Sequence, residues 1–208
     1  MAFAKTRMFE LFPTLVWAHE LEAADYEPIN RDILAALDAI RAERPELTPT
    51  SNWQTPNDLQ NNAAFAGLLA QVDLASKSIL HFLGVDYENF EVTGCWANVR
   101  PKGASHQLHV HPNNYLSGVY YVQAEDGVDS IAFHDPRSQI NVISPKFKER
   151  NAHNAKKVMI NVRTGVMLLF PAWLVHAVEP TTGENLRISV SFNVMFHNFA
   201  TQVSAPQW

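Results

Sequence analysis

Three histidines are the strongest candidates for a chemical function in this sequence. His109 and His111 stand two apart in a strand-like run, and His176 ends the apolar run that begins at Leu168. Side chains two apart on a strand point to the same face. His109 and His111 can therefore reach one ion, with a third imidazole from elsewhere in the fold. Imidazole suits zinc, copper, iron and nickel, so the pattern predicts a metal site made of His109, His111 and His176.

The other histidines carry weaker signals. His106 falls out of the two-residue alternation with His109, which places it at the entrance of the strand or in the mouth of a substrate site. His134 precedes Asp135-Pro136-Arg137, where the proline favours a turn. Asp135 and Arg137 would then pair with each other or line the substrate entrance, and His134 is structural or touches the substrate. Structural roles are expected for the four remaining candidates, His19, His81, His153 and His197.

Composition restricts the class of protein. A chain of 208 residues with 47% hydrophobic residues fits a single domain, 1–208, with a sizeable core. A net charge of −5 argues against a general nucleic-acid binder, and no apolar run is long enough to predict a membrane span. Cys95 is the only cysteine, so no internal disulfide can form. The first residues do not resemble a secretory signal, and we expect a cytoplasmic protein.

The predicted secondary structure divides the chain into two parts, one mainly helical and one mainly β. Residues 1–87 predict a short strand at 11–17, a loop at 45–58 and two amphipathic helices, the second ended by Gly84. The two helical stripes are Ile29, Ile33, Leu37 and Ile40, and then Phe65, Leu68, Leu69, Val72, Ile79 and Leu83.

The catalytic core is predicted at residues 88–200. Short β-rich runs are expected at 90–99, 107–111, 115–122, 130–133, 158–162, 166–170 and 188–196, most of them separated by turn residues. This pattern is typical of a mainly β fold, a double-stranded β-helix or cupin-like jelly roll. The helices would pack on one outer sheet, and the metal would lie in the mouth. The aromatic residues Trp96, Tyr115, Tyr120, Phe170 and Trp173 are expected mostly in the core, while Asn98 and Asn193 face the cavity.

Four segments, His109–His111, Ser117–Tyr121, His176–Pro180 and Arg187–Ser189, resemble the iron and 2-oxoglutarate-dependent dioxygenases, particularly the prolyl-hydroxylase-like branch. The chain also resembles a microbial and phage subgroup that reads Trp-x-Asn, His-x-His-Pro, Ser-Gly-x-Tyr-Tyr, Asp-Pro-Arg and Phe-Pro-x-x-x-x-His. The matching segments begin at Trp96, His109, Ser117, Asp135 and Phe170. For that subgroup the resemblance covers almost the whole chain.

The resemblance implies a site for Fe(II) and for 2-oxoglutarate as co-substrate. Arg187 stands where the family places the arginine that binds the far carboxylate, which suits a planar guanidinium. Tyr121 and Ser189, together with Ser117, would add hydroxyl contacts to the co-substrate. Without the histidine spacing, Arg187 would be read as a surface arginine paired with Glu179 or Glu184.

One position departs from the family pattern. The common triad is His-x-Asp or His-x-Glu with a distal histidine, and this chain has His111 where the carboxylate is expected. The resemblance implies a dioxygenase that hydroxylates an unidentified substrate and releases succinate and CO2, and two alternatives accompany it. One is a cupin-like three-histidine dioxygenase that does not use 2-oxoglutarate. The other is a metal-stabilised binding module, which would form a homodimer through its N-terminal helices. A zinc hydrolase ranks below oxidation, and the substrate is expected to be a small molecule or a peptidyl side chain.

Overall fold

The structure is a computed structural model that describes residues 3–43 and 53–197. Two helices precede most of the strands, α1 (Ala23–Ala42) and α2 (Ala66–Phe82). Each buries the apolar stripe that its periodicity predicts, with Ile33 and Leu37 in α1 and Leu68, Val72 and Ile79 in α2. Gly84, at φ +64°, follows the end of α2, a conformation that glycine adopts without strain.

The strands form two antiparallel sheets. In chain order they are β1 (Trp17–Glu20), β2 (Trp53–Gln54), β3 (Phe90–Arg100), β4 (His106–His109), β5 (Leu116–Gln123), β6 (Ser130–His134), β7 (Lys157–Asn161), β8 (Val166–Pro171), β9 (His176–Val178) and β10 (Arg187–Phe196). The larger sheet has the order β1-β8-β5-β10-β3-β2, and the smaller has the order β4-β9-β6-β7. Two facing sheets with crossed strand order confirm the predicted double-stranded β-helix.

Two boundaries differ from the sequence-based expectation. The first strand begins at Trp17 rather than at Leu11, because Pro13 lacks the N–H that a ladder needs and Phe12 has a positive φ of 56°. Strand β4 spans His106–His109 rather than 107–111. Part of the predicted loop at 45–58 lies outside the described residues. The second half of that loop contains strand β2, which pairs with Asn98 and Val99 of β3. The N-terminal part thus supplies strands to both edges of the larger sheet.

The core has two layers, which meet at the larger sheet. One cluster of buried residues joins α1 and α2 to the outer face of that sheet, and a second fills the space between the two sheets. Strand β5 contributes to both: Tyr120 and Val122 face the helices, whereas Val119 and Tyr121 face inward.

Gly118 of β5 is required by close packing. A Cβ at this position would lie 2.3 Å from the ring of Phe192 on the neighbouring strand β10 and 2.9 Å from the carbonyl oxygen of Leu168 on β8. The glycine of the Ser-Gly-x-Tyr-Tyr pattern therefore lets the ring of Phe192 pack closely against strand β5.

One segment of the described chain, Ala63–Phe82, is long and apolar enough to cross a membrane by length and composition alone. Leu68, Val72 and Ile79 of this segment lie in the core, against the larger sheet. Burial of these residues accounts for its composition, as in the core helix of a folded domain.

Candidate metal centre

The three predicted histidines converge in the structure. His109 on β4 pairs directly with His176 on β9, so their side chains leave the smaller sheet on the same face. His111 lies just beyond β4, where its backbone N–H donates to the carbonyl of Ala172 at 2.9 Å and continues the strand-like path. One ligand nitrogen from each ring lies within 4.8 Å of the others. The cluster is therefore compact enough for one ion.

Hydrogen bonds fix which nitrogen faces the centre. Nδ1 of His109 lies 2.8 Å from the carbonyl oxygen of Gln107, and Nδ1 of His176 lies 2.8 Å from the carbonyl oxygen of Leu174. A carbonyl oxygen only accepts, so each Nδ1 carries the proton and each Nε2 presents a lone pair. Backbone carbonyls commonly orient metal-binding histidines in this way.

The Nε2 atoms of His111 and His176 are 3.3 Å apart. Two nitrogens about 2.1 Å from one ion in tetrahedral or octahedral geometry are separated by about 3.0–3.4 Å. The spacing and the donor type fit a transition metal.

Burial keeps the imidazoles of His111 and His176 neutral. Burial lowers the pKa of His111 to about 4, and repulsion from His109 and His106 contributes. Burial also lowers the pKa of His176 to about 4. Neutral imidazole is the form that binds metals, so these two ligands have no proton to lose near neutral pH.

His106 joins the edge of this cluster because of a bulge. Between His106 and His109, β4 advances three residues while β9 advances two, from Val178 to His176. The extra residue breaks the two-residue alternation, so the rings of His106 and His109 lie on the same side with centroids 4.2 Å apart. The side chain lines the cleft, in keeping with the predicted place at the strand entrance or substrate mouth.

Arg187 lies in the same cleft and is 2% exposed. Its Nη1 lies 3.5 Å from a carboxylate oxygen of buried Asp129. Its Nη2 is buried without a hydrogen-bond partner among the residues that the structure describes. The alternative of a surface arginine does not hold, since Glu179 pairs with Lys157 and Glu184 with Lys102. A buried guanidinium with an unused donor is a place for an anion.

Arg100 is a residue of the cleft that sequence reasoning missed. It lies at the end of β3, directly opposite Arg187 on β10, and is 4% exposed. Its guanidinium donates to the carbonyl of Ser105 at 2.8 Å and to Nδ1 of His106 at 2.7 Å. Burial lowers its pKa to about 10, with repulsion from Arg187 as the next cause. The strand alternation could have flagged it, since Asn98 and Arg100 share a face.

Of the predicted hydroxyl contacts, Tyr121 and Ser189 line the cleft with Arg187. Burial raises the pKa of the Tyr121 phenol, so it stays protonated and can donate. Ser117 is placed differently from the expectation. Its hydroxyl donates to Oδ1 of Asn193 at 2.7 Å, and neither residue lines the cleft. This bond between neighbouring strands uses Ser117, which was expected at the co-substrate, and Asn193, which was expected to face the cavity.

Aromatic rings surround the histidines. The ring of Phe170 lies 4.7 Å from that of His176, and the ring of Trp96 lies 5.6 Å from that of His111. Tyr120 and Phe170 are buried, as expected. Trp173 is 55% exposed, contrary to the expectation of a core position, because it lies in the turn after β8 rather than in the strand.

Asp135 and Arg137 pair with each other. Nε and Nη2 of Arg137 donate to the two carboxylate oxygens at 2.9 and 2.6 Å, and its backbone N–H adds a third bond. Both residues, with His134, line a separate outer cavity that is bounded on its other side by residues 8–14. Asp135 and Arg137 therefore pair with each other and also line an outer cavity.

Comparison with known families identifies the sequence pattern. Residues 94–193 match the model of a family described as "Putative 2OG-Fe(II) oxygenase". The match includes the three histidines together with Tyr121 and Arg187. No curated protein sequence matches the chain at a significant level.

Solved structures show the same fold. HygX from Streptomyces hygroscopicus, with nickel and 2-oxoglutarate bound, is 14% identical and has a TM-score of 0.60 over 89% of this chain and 84% of that chain. SnoN, a non-heme alpha ketoglutarate dependent epimerase from nogalamycin biosynthesis, is 11% identical, with a TM-score of 0.62 over 88% of this chain and 79% of its own.

A Pseudomonas putida prolyl-4-hydroxylase is 16% identical and has a TM-score of 0.58 over 88% of this chain and 94% of that chain. The resemblance to 2OG-Fe(II) oxygenases recognised in the sequence is thus confirmed by the family match over residues 94–193. The solved structures, a prolyl-4-hydroxylase among them, share the fold of this chain.

Proposed function

We propose that the protein hydroxylates a small-molecule or peptidyl substrate with O2, using Fe(II) as its metal and 2-oxoglutarate as its co-substrate, with release of succinate and CO2. One observation carries the proposal. The inward-facing lone pairs of the histidine cluster and the unused buried donor of Arg187 line the same cleft. A molecule with a metal-chelating end and a distant carboxylate would satisfy both.

His109, His111 and His176 would hold the iron. Backbone carbonyls orient two of the three rings, those of His109 and His176. Three ligands leave coordination positions for a co-substrate, as an open catalytic site requires. The rings of Phe170 and Trp96 beside the histidines limit the access of water to the metal.

Arg187 would bind the far carboxylate of 2-oxoglutarate, with Tyr121 and Ser189 donating from the same cleft. Asp129 holds the guanidinium from one side at 3.5 Å and leaves Nη2 for the ligand. When bound, the metal would activate O2, the oxidant, and the 2-oxo acid would be the electron donor that is converted to succinate and CO2. The side chains bind and orient, and none needs to act as an acid or a base.

The test is anaerobic loading of purified protein with Fe(II), followed by 2-oxoglutarate. We expect the weak visible charge-transfer band of a metal-bound 2-oxo acid, and succinate once air is admitted. The control is Arg187→Gln, which should keep its metal and need much more 2-oxoglutarate for the same band. A wild-type protein that binds iron but gives neither band nor succinate would exclude the proposal.

A three-histidine dioxygenase that does not use 2-oxoglutarate is the second candidate, and His111 in the carboxylate position is the observation that favours it. In that case Arg187→Gln would leave both the metal content and any oxygen uptake unchanged. A metal-stabilised binding module would show a closed four-ligand sphere with no exchangeable water.

A further inference from the structure

We propose that Arg100 is a second guanidinium for the far carboxylate of the co-substrate, so that Arg100 and Arg187 form a two-arginine clamp at one end of the cleft. The inference rests on the proposed use of 2-oxoglutarate, and it adds a residue that determines specificity for a dicarboxylic 2-oxo acid.

The position of Arg100 is the first support. Arg100 and Arg187 are direct partners in the ladder between β3 and β10. Directly opposed residues of an antiparallel pair have Cβ atoms about 4.5–5.5 Å apart on the same face. Both side chains are buried and both line the cleft. Like charges opposite each other destabilise a sheet, and the cost rises with burial because water no longer screens them. An anion bound between the two guanidiniums would relieve this repulsion.

The charges around the cleft are the second support. Its described lining residues include two arginines and no carboxylate. Asp129 approaches Arg187, but its two oxygens also accept from the hydroxyl of Thr181 at 3.1 Å and from the backbone N–H of Glu125 at 2.8 Å. Asp129 is therefore shared among three donors, of which Arg187 is one. The second carboxylate of a bound 2-oxo acid would add a negative charge in the cleft that both arginines line.

The third support is that the guanidinium of Arg100 is held in place. It donates to the carbonyl of Ser105 and to Nδ1 of His106, so its plane is fixed before a ligand arrives. Tyr121 lines the same cleft as both arginines. Two guanidiniums and one phenol are therefore available to a ligand in that cleft. A pre-organised fork of donors is the arrangement that favours a carboxylate.

The test compares two 2-oxo acids on metal-loaded protein. 2-Oxoglutarate carries the far carboxylate, and 2-oxopentanoate carries a methyl group in its place. Binding of each is measured by anaerobic calorimetric titration of wild type, Arg100→Gln, Arg100→Lys and Arg187→Gln. Arg163→Gln is the matched control, since it removes one positive charge at the surface, where Arg163 pairs with Glu20.

We expect Arg100→Gln to weaken 2-oxoglutarate binding by roughly ten- to a hundredfold, the range of a charge-assisted hydrogen bond. Binding of 2-oxopentanoate should change by less than about threefold on the same scale, because that acid has no group for the clamp. Arg100→Lys should fall between wild type and Arg100→Gln, and Arg163→Gln should match wild type. An unchanged 2-oxoglutarate affinity in Arg100→Gln overturns the clamp, and so does an equal loss for both acids.

If Arg100→Gln does not fold, Arg100→Lys decides. It keeps the charge and loses the planar fork, so the preference for 2-oxoglutarate over 2-oxopentanoate should drop at least about threefold. An unchanged preference overturns the inference. Failure of the proposed function looks different, since wild-type protein loaded with metal would then bind neither acid. A wild type that prefers 2-oxoglutarate, with Arg100 variants that behave like it, removes the clamp alone.

Discussion

Two adjacent tyrosines on β5 experience opposite environments. Tyr120 faces the helices, where its hydroxyl donates to Oδ1 of Asn30 at 2.7 Å, and Asn30 in turn donates to the carbonyl of Val122. Tyr121 faces the cleft, near the guanidiniums of Arg187 and Arg100. Burial raises the pKa of both phenols. The two side chains have the same chemistry and nearly the same burial, and they differ in what surrounds them.

The difference separates stability from function on one strand. On the helix face, the hydroxyl of Tyr120 and the amide of Asn30 both have partners within the protein. On the cleft face, a buried donor of Arg187 lacks a partner among the described residues. An unsatisfied buried donor costs stability, so its presence is best explained by a ligand. The helix face should therefore respond to mutation in stability, and the cleft face mainly in ligand binding.

The largest effect is expected at Asp129, which contacts Arg187 of the cleft face but should affect stability as well as ligand binding. Asp129→Asn removes the carboxylate that faces buried Arg187, and breaking a buried ion pair costs about 3–5 kcal/mol. Urea denaturation would measure the loss. Added 2-oxoglutarate should restore more stability to the variant than to wild type, because its carboxylate can replace Asp129. Asp135→Asn is the control, since its partner Arg137 is exposed and the change should cost about 1 kcal/mol or less. Equal stability of Asp129→Asn and wild type would contradict the assignment.

His176→Ala tests the metal end of the cleft face. The loss of an outer-sphere partner reduces metal affinity by about 10–100-fold, and the loss of a ligand should exceed the upper figure. Anaerobic titration with Fe(II) measures it. His153→Ala, in an exposed turn, should leave the affinity unchanged. Retention of wild-type affinity in His176→Ala would mean that the cluster is not the metal site.

Much of this arrangement could be predicted, because periodic patterns and short motifs in the sequence indicate it. The spacing of His109 and His111 indicated a shared face, and the helical stripes indicated which residues of α1 and α2 are buried. Arg100 was not predicted, because its role comes from cross-strand pairing with Arg187, far away in the chain. The contact of His106 with His109 depends on a bulge in β4, and the bond of Ser117 to Asn193 depends on the register between β5 and β10.

Tyr121→Phe removes one donor from the cleft and leaves the ring in place. We expect 2-oxoglutarate affinity to fall roughly tenfold, the lower end for a hydrogen bond to a charged group. The metal content should stay the same, and unfolding in urea should shift little, because the ring keeps its contacts. Calorimetric titration of the metal-loaded variant gives the affinity. A loss of stability without a loss of affinity would place Tyr121 with Tyr120 as a structural residue.

Tyr120→Phe, the matched change on the opposite face, should give the reverse result. It removes the bond to Asn30 and leaves Oδ1 of Asn30 unsatisfied in the core, at a cost of about 1 kcal/mol. Urea denaturation measures that cost, and the affinity for 2-oxoglutarate should equal that of wild type. A double-mutant cycle with Asn30→Ala isolates the bond, because the second change should cost less once the first has been made. Additive costs would show that Tyr120 is stabilised by packing alone, and a changed co-substrate affinity would show that the two faces of β5 are coupled.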